Sequence, residues 1–189
     1  MSIIRFEAEL FNIGSWTLLR LPKSASAQLP SRGMTMVEGT FNGFCFKAPL
    51  EPDGKGSHWL RIDETMREAA GADAGDTVML AIEPAKEWTE PQVPEDLKSA
   101  LAADPQAHTL WLDCTTMARW DWIRWISATA QPETRRRRIE VAFSKLKSGM
   151  RRPCCFNRSL CTEPYVSKNG VLLEPAETPA AKASMKQAG

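Results

Sequence analysis

The chain has 189 residues, of which 43% are apolar and 25% are charged, a composition typical of a soluble protein with one large domain or two small ones. No apolar run approaches the roughly 20 residues of a membrane span, and the charged residues near the start do not fit a secretory signal. We therefore expect a cytoplasmic protein that does not span a membrane, with its five cysteines as reduced thiols.

The formal net charge of +1 hides two oppositely charged halves. Residues 1–108 carry 10 Lys/Arg and 16 Asp/Glu, whereas residues 109–170 carry 12 Lys/Arg and 5 Asp/Glu. A basic half can attract a polyanion, and it can equally complement the protein's own acidic half.

The first ninety residues are predicted to be mainly strands. Residues 4–10 alternate apolar with charged side chains, which is the period of a half-buried strand. Strands at 34–41 and 44–48 flank Asn42-Gly43, a pair that favours a two-residue type I′ hairpin because both turn positions need positive φ. Further strands are predicted at 16–21, 57–62 and 77–82, and a short helix at 64–70. Five or six short strands with one short helix predict a small barrel or a tightly curled sheet.

Beyond Pro84, Pro91 and Pro94 the apolar period lengthens towards that of a helix. Three helices are expected there: one that begins near Pro94 and ends at Asp104-Pro105, one capped by Thr115 or Thr116, and one from Pro132 to Gly149. The predicted organisation is a β-barrel domain at 1–92, a helical domain at 93–150, an irregular packed extension at 151–173 and a disordered tail at 174–189.

The third predicted helix carries four consecutive arginines, Arg135–Arg138, at its start. At about 100° per residue its apolar side chains share one face, whereas the arginines spread around the axis and do not form one basic track. Pairs at i,i+4 are expected between Glu133 and Arg137 and between Arg136 and Glu140. Arg135 lies beside the apolar face and is predicted to be an interdomain clamp that forks a carboxylate of the acidic half.

A few cations are not explained by these pairs: two lie close together on the helical wheel, and three follow the helix without nearby acids. They are the candidates for binding phosphate if the chain binds a polyanion: Arg138, Lys145, Arg151, Arg152 and Arg158. The alternative is that this basic edge is merely solvated.

Four tryptophans crowd residues 111–125, namely Trp111, Trp120, Trp122 and Trp125. Aromatic residues among cations can stack on bases. Here, however, apolar residues cover most of the circumference of the second helix, which predicts a central helix and core packing for these rings.

The sequence contains no familiar catalytic signature. Its two histidines, His58 in a predicted strand and His108 in a predicted connection, have no phosphate loop, nucleophile elbow or HExxH motif around them. Cys154, Cys155 and Cys161 have no nearby histidine and poor spacing for a metal. We therefore predict no catalytic residue, no metal site and no cofactor, and an enzyme has no support from the sequence.

Several segments together resemble a known family: GSWTLLRLP, VEGTFNGFCFKAPL, GKGSHWLRID, REAAGADAGDTVML, VPEDLKSALAADPQA and ETRRRRIEVAFSKLKSG. Their order resembles that of the YdeI/OmpD-associated, "bacteriocin-protection" family, preceded by the uncharacterised domain often fused to it. The resemblance implies an α+β protein in which a double-split β-barrel, similar to the AbrB/MazE group, precedes a helical domain. It implies no catalytic residues, and DNA binding does not follow from it because the barrel is the acidic half.

The resemblance and the missing catalytic motifs favour a non-enzymatic function. We expect a protein-interaction role in stress or antimicrobial-peptide and bacteriocin protection, with an unknown protein partner. Nucleic-acid binding through the basic half and a small-ligand-binding module with tryptophans lining its pocket are the alternatives.

Overall fold

The computed structural model describes residues 2–129, 131–153, 165–167 and 169–175. The chain divides into two compact units. One contains the residues up to Glu87 together with the segment that starts at Val171, and the other contains Trp88–Gly170. None of the helices in the described residues is both long and apolar enough to cross a membrane.

The first unit is a closed six-stranded antiparallel barrel, which confirms the barrel prediction. Its strands are β1 (Ile4–Ile13), β2 (Trp16–Arg20), β3 (Thr35–Phe41), β4 (Phe44–Pro52), β5 (His58–Ile62) and β6 (Thr77–Pro84), in the order β1-β2-β5-β4-β3-β6. Two short helices connect them, α1 (Lys23–Ser26) and α2 (Glu64–Ala70).

The barrel closes because two long strands change neighbours along their length. β1 pairs with β6 through residues 4–9 and with β2 through residues 10–13. β4 pairs with β3 along most of its length and with β5 only at Glu51 and Pro52. The interior is filled by alternate apolar side chains of the strands, among them Leu10, Leu19, Val37, Phe41, Leu60, Leu80 and Ile82.

The residues at the β3–β4 turn and at both ends of α2 have the conformations that their sequence favours. Asn42 and Gly43 have φ of 46° and 86°, so the predicted hairpin between β3 and β4 is confirmed. The carboxylate of Asp63 caps α2 by accepting from the backbone N–H of Met66 at 2.8 Å. Gly71 ends this helix in the left-handed region, with φ of 58°.

The described part of the second unit contains four helices, not the three predicted. They are α3 (Glu95–Ala103), α4 (Pro105–Leu112), α5 (Thr116–Ser127) and α6 (Pro132–Lys147). The additional helix is α4. Asp104-Pro105 ends α3 as predicted, but it also starts the next helix, because Asp104 caps the N–H of Ala107 at 3.0 Å and Pro105 occupies the first turn.

The core of the helical unit contains two of the tryptophans. Trp111 and Trp122 are buried together with the apolar face of α6, which contributes Ile139, Ala142, Phe143 and Leu146. The indole N–H of Trp122 donates to the carbonyl of Arg151 at 3.0 Å, so its single polar atom is satisfied. Trp120 and Trp125 are only half-buried. Core packing is therefore observed for two of the four rings in full and for the other two in part.

The described residues after Gly170, residues 171–175, belong to the barrel unit. The N–H of Leu172, which is 1% exposed, donates to the carbonyl of Asp53 at 3.1 Å. Glu174 forms ion pairs with Arg20 at 2.8 Å and with Lys55 at 3.0 Å. The predicted extension at 151–173 is thus divided between the two units, and the predicted disordered tail begins with an ion-paired residue. Residues 176–189 of that tail lie outside the described residues.

Candidate functional site

The helical unit has a groove between α3 and α6, with a volume of about 600 Å³. The two helices run in the same direction. Asp96 in the first turn of α3 contacts Arg135 in the first turn of α6, and Asp104 after the end of α3 contacts Lys147 at the end of α6. Eight residues line the groove: Asp96, Ala100, Pro132, Arg135, Arg136, Ile139, Glu140 and Phe143.

The floor of the groove is apolar and its rim is charged. Ile139 and Phe143 come from the buried face of α6, and Ala100 faces them from α3. They lie in the groove because the apolar period of α6 turns this edge of its stripe towards α3. An apolar floor with polar groups at its rim is the usual form of a surface that binds a protein or a ligand.

A bidentate ion pair fixes one end of the groove. Nε and one Nη of Arg135 donate to the two carboxylate oxygens of Asp96 at 2.8 and 3.0 Å. These hydrogen bonds hold the pKa of Asp96 below its usual value, although partial burial of the carboxyl acts in the opposite direction. The two hydrogen bonds keep the first turns of α3 and α6 together.

The partner of Arg135 lies within its own unit. The guanidinium forms its bidentate contact with Asp96, which precedes residue 109 but belongs to the helical unit. This ion pair joins α3 to α6 and does not support the interdomain role, which stays a prediction.

The other arginines of the run point in different directions. Arg136 contacts Glu133 at 3.3 Å, three residues before it, so the predicted pairs of Glu133 with Arg137 and of Arg136 with Glu140 are not observed. Arg138 donates to the carbonyl of Trp125 at the end of α5 and lies 5.4 Å from the centre of its ring. The angular spread predicted for the four arginines is therefore observed.

Four of the five candidate polyanion-binding cations are described, and each has a partner. Arg138 and Lys145 both lie against the ring of Trp125, Lys145 at 5.9 Å from its centre. Arg151 pairs with Asp113, and Arg152 pairs with Asp121. Arg158 lies outside the described residues. The structure therefore divides the described cations among separate internal contacts, and their phosphate-binding role stays a prediction.

A serine and a histidine meet inside the barrel, but not as a catalytic pair. The hydroxyl of Ser26 lies 2.8 Å from Nδ1 of His58, and Nε2 lies 2.9 Å from the carbonyl oxygen of Gly33. Since that carbonyl can only accept, Nε2 carries a proton and Nδ1 accepts from Ser26. Ser26 is fully buried and His58 is 1% exposed, so no substrate reaches them. These two contacts attach α1 and the segment after it to β5.

The remaining groups that could carry chemistry are scattered. His108 is exposed on α4, where the sequence predicted a connection. Cys45 is exposed, whereas Cys114 is buried, and burial raises the pKa of its thiol. No cluster of three metal-ligating side chains occurs among the described residues. Cys154, Cys155 and Cys161 lie outside them.

Sequence reasoning missed the groove. It did not single out Asp96 as a site residue, and it assigned Glu140 to Arg136. The available signal was the repeat of Pro132, Arg136, Ile139 and Phe143, spaced four, three and four residues apart along one side of α6. That spacing is typical of a helix side that packs against another helix.

Fold and site together define a two-part protein, a closed β-barrel with a helical unit that carries an exposed groove. The helical unit matches the family described as Bacteriocin-protection, YdeI or OmpD-Associated, over residues 90–149. The barrel matches a domain of unknown function, DUF1905, over residues 3–82. The two matches lie in the order that the sequence predicted, a DUF1905-like barrel followed by a YdeI/OmpD-associated-like domain, which confirms the resemblance seen in the sequence. None of the curated proteins matches the chain significantly.

Proposed function

We propose that this chain contributes to protection against bacteriocins from within the cytoplasm, through protein contacts made by the α3–α6 groove and without catalytic turnover. The proposal rests on the position of the groove in the sequence, which falls within the matched family region. Every residue that lines the groove lies within residues 90–149, the part that matches the bacteriocin-protection family.

The form of the groove supports binding of a protein surface. Its floor is apolar, formed by the half-buried Ala100 and by the edges of Ile139 and Phe143, which are 5% and 9% exposed. Its rim offers both signs of charge, because Arg136 and Glu140 lie one turn apart on α6. Charges at the rim of an interface select the partner and its orientation, and the apolar centre supplies most of the affinity.

The nucleic-acid alternative has less support. A polyanion site needs cations that share one exposed track, whereas Arg138, Arg151 and Arg152 contact Trp125, Asp113 and Asp121 respectively. If the alternative were correct, binding to duplex DNA would weaken steeply with salt, with a log-log slope of about −0.9 per phosphate contact.

The test compares bacterial survival in a bacteriocin dilution series, with cells that express the chain or one of two variants. Ala100→Arg places a long side chain in the groove, and we expect it to abolish protection. Ala102→Arg is the matched control, because Ala102 is exposed on the same helix and does not line the groove. We expect it to protect as the wild type does.

A second groove variant separates loss of binding from loss of folding. Glu140→Arg changes an exposed rim residue without inserting bulk into the floor. Circular dichroism melting of the purified proteins identifies any variant that is unfolded at the assay temperature. Protection that survives both Ala100→Arg and Glu140→Arg would contradict the proposal.

A further inference from the structure

The segment that returns to the barrel lies across the outer side of β5. We call residues 171–174 the strap. The N–H of Leu172 donates to the carbonyl of Asp53, just after β4, and the carboxylate of Glu174 contacts Arg20 at the end of β2. In the barrel, β5 lies between β4 and β2. The strap therefore crosses β5 on the outside of the barrel, between these two contacts.

Trp59 of β5 lies beneath this crossing. It is the cross-strand neighbour of Arg20 on β2 and of Glu51 on β4. Because the adjacent Leu60 fills the core, alternation along the strand turns Trp59 to the outer face. Its ring stacks on that of Trp16, with 6.0 Å between the ring centres, and Trp59 is only 3% exposed. This burial, at a position between the two contacts of the strap, indicates that the strap covers the ring.

The barrel binds the strap through three kinds of contact. The carboxylate of Glu174 accepts from Arg20 at 2.8 Å and from Lys55 at 3.0 Å. Arg20 also donates to the main-chain carbonyl of Leu173 at 3.3 Å. The side chain of Leu172 is buried, with 1% of its surface exposed. A buried apolar residue, a main-chain hydrogen bond and a carboxylate held by two cations are the contacts of a peptide-binding site.

The strap does not satisfy everything that this surface offers. Two N–H donors, Nε of Arg20 and Nε1 of Trp59, are buried and have no hydrogen-bond partner among the described residues. A buried donor without a partner is unfavourable. The ion pairs of the strap are also solvated, since the side chains of Glu174 and Lys55 are 41% and 51% exposed. A peptide that keeps the contacts of the strap and adds an acceptor for these donors would therefore bind more tightly than the strap does.

We propose that the outer face of β2 and β5 is a peptide-binding site that the strap occupies in cis, and that it binds in trans a partner's segment with two apolar residues followed by an acidic one. The strap regulates this binding, because a partner binds only the fraction of molecules in which the strap is open. The site belongs to the barrel unit, so it does not depend on the α3–α6 groove or on the function proposed for it.

Opening the strap tests the proposal in the full-length protein. The probe is a fluorescently labelled synthetic peptide with the sequence of residues 170–175, and its binding is measured by fluorescence anisotropy. Glu174→Lys places a third cation beside Arg20 and Lys55, and we expect it to bind the peptide at least about tenfold more tightly than the wild type does. Glu68→Lys is the matched control, since it makes the same charge change at an exposed residue of α2. It should bind the peptide as the wild type does.

Reversing charges in the peptide and in the site tests the recognition itself. The same peptide with Glu174→Lys should bind the opened protein at least about tenfold more weakly. Adding Arg20→Glu to the opened protein should abolish binding of the acidic peptide, because it removes the guanidinium and restores an ion pair of reversed sign to the strap. Circular dichroism melting shows whether each variant is folded. Equal binding of the two peptides, or no gain for Glu174→Lys, would contradict the proposal.

Hydrogen exchange of the wild type measures whether the strap opens on its own. The N–H of Leu172 should exchange at least about a hundredfold faster than the slowest amides of β1–β6. Equal rates would mean that the strap detaches only when the barrel unfolds, which overturns the proposal. Sedimentation equilibrium identifies a different occupant. If the wild type forms dimers that Glu174→Lys abolishes, and no variant binds the peptide, the site takes the strap of a second copy and the proposal is wrong.

Discussion

His58 shows how a single polar residue can be stabilised inside the barrel. Its two ring nitrogens contact the Ser26 hydroxyl and the Gly33 carbonyl, so the neutral ring is fully hydrogen-bonded. Burial lowers the pKa of His58 from its ordinary value of 6.5, and the nearby charge of Arg32 acts in the same direction. The Gly33 carbonyl and the charge of Asp53 oppose this shift without cancelling it. The folded barrel therefore favours the uncharged ring.

Stability is expected to fall as the pH drops below about 6.5, where the unfolded chain binds a proton at His58 and the folded barrel does not. The free energy of unfolding then decreases by about 1.4 kcal/mol per pH unit, until the pH reaches the lowered pKa of the folded state. Urea denaturation at a series of pH values measures this decrease. His58→Gln should remove this part of the pH dependence, whereas His108→Gln, which replaces an exposed histidine of α4, should retain it. Equal pH profiles for wild type and His58→Gln would show that the ring does not titrate as argued.

At the scale of elements, Arg119 of α5 connects three parts of the helical unit. Its guanidinium donates two hydrogen bonds to the carboxylate of Glu90, in the segment before α3, and the one from Nε is 2.9 Å long. The hydroxyl of Thr116 donates to the same carboxylate at 2.6 Å. Arg119 also donates to carbonyls at and after the end of α4, those of Trp111, Leu112 and Cys114. The hydrogen bond from Arg119, followed by that from Thr116, lowers the pKa of Glu90.

Replacing Arg119 with methionine keeps the aliphatic stem and removes these hydrogen bonds. Because the arginine side chain is only 14% exposed, we expect a loss of about 1–3 kcal/mol in the free energy of unfolding. Urea denaturation followed by far-UV circular dichroism measures the change. Arg137→Met on the exposed side of α6 is the control and should change stability by less than about 0.5 kcal/mol. A similar effect of both substitutions would mean that Arg119 contributes no more than an ordinary surface arginine.

Elements with local signals were predictable from the sequence, and elements that depend on distant contacts were not. The hairpin at Asn42-Gly43 needs only positive φ at adjacent residues, and the Asp63 cap needs only a carboxylate before a helix. By contrast, Asp104 follows the last residue of α3 and also caps the start of α4. In the sequence alone, Asp104-Pro105 indicates only the end of a helix, and α4 was therefore not predicted. The groove depends on which side of α6 contacts α3, and a helical wheel cannot provide that information.

At the scale of the whole molecule, the chain leaves the barrel and returns to it. The barrel unit contains residues from both ends of the described chain, with the helical unit inserted between Glu87 and Val171. Contacts between residues so distant in sequence have no local signature. The segment that returns to the barrel is held there by the buried side chain of Leu172 and by Glu174. The hydrogen bond with Arg20, followed by that with Lys55, lowers the pKa of Glu174.

Leu172→Ala should therefore destabilise the barrel by about 2–4 kcal/mol, because truncating a buried leucine removes its apolar contacts and leaves a cavity. Glu174→Gln should cost less, at most about 1 kcal/mol, since its ion pairs are solvated. Native-state hydrogen exchange provides the measurement, with Leu112→Ala as a control because Leu112 is 65% exposed on α4. Since Leu172 belongs to the barrel unit, the loss of protection should concentrate in β1–β6 and leave α3–α6 unchanged. Uniform loss in both units would mean that they unfold together, and loss confined to the helices would show that the C-terminal segment does not stabilise the barrel.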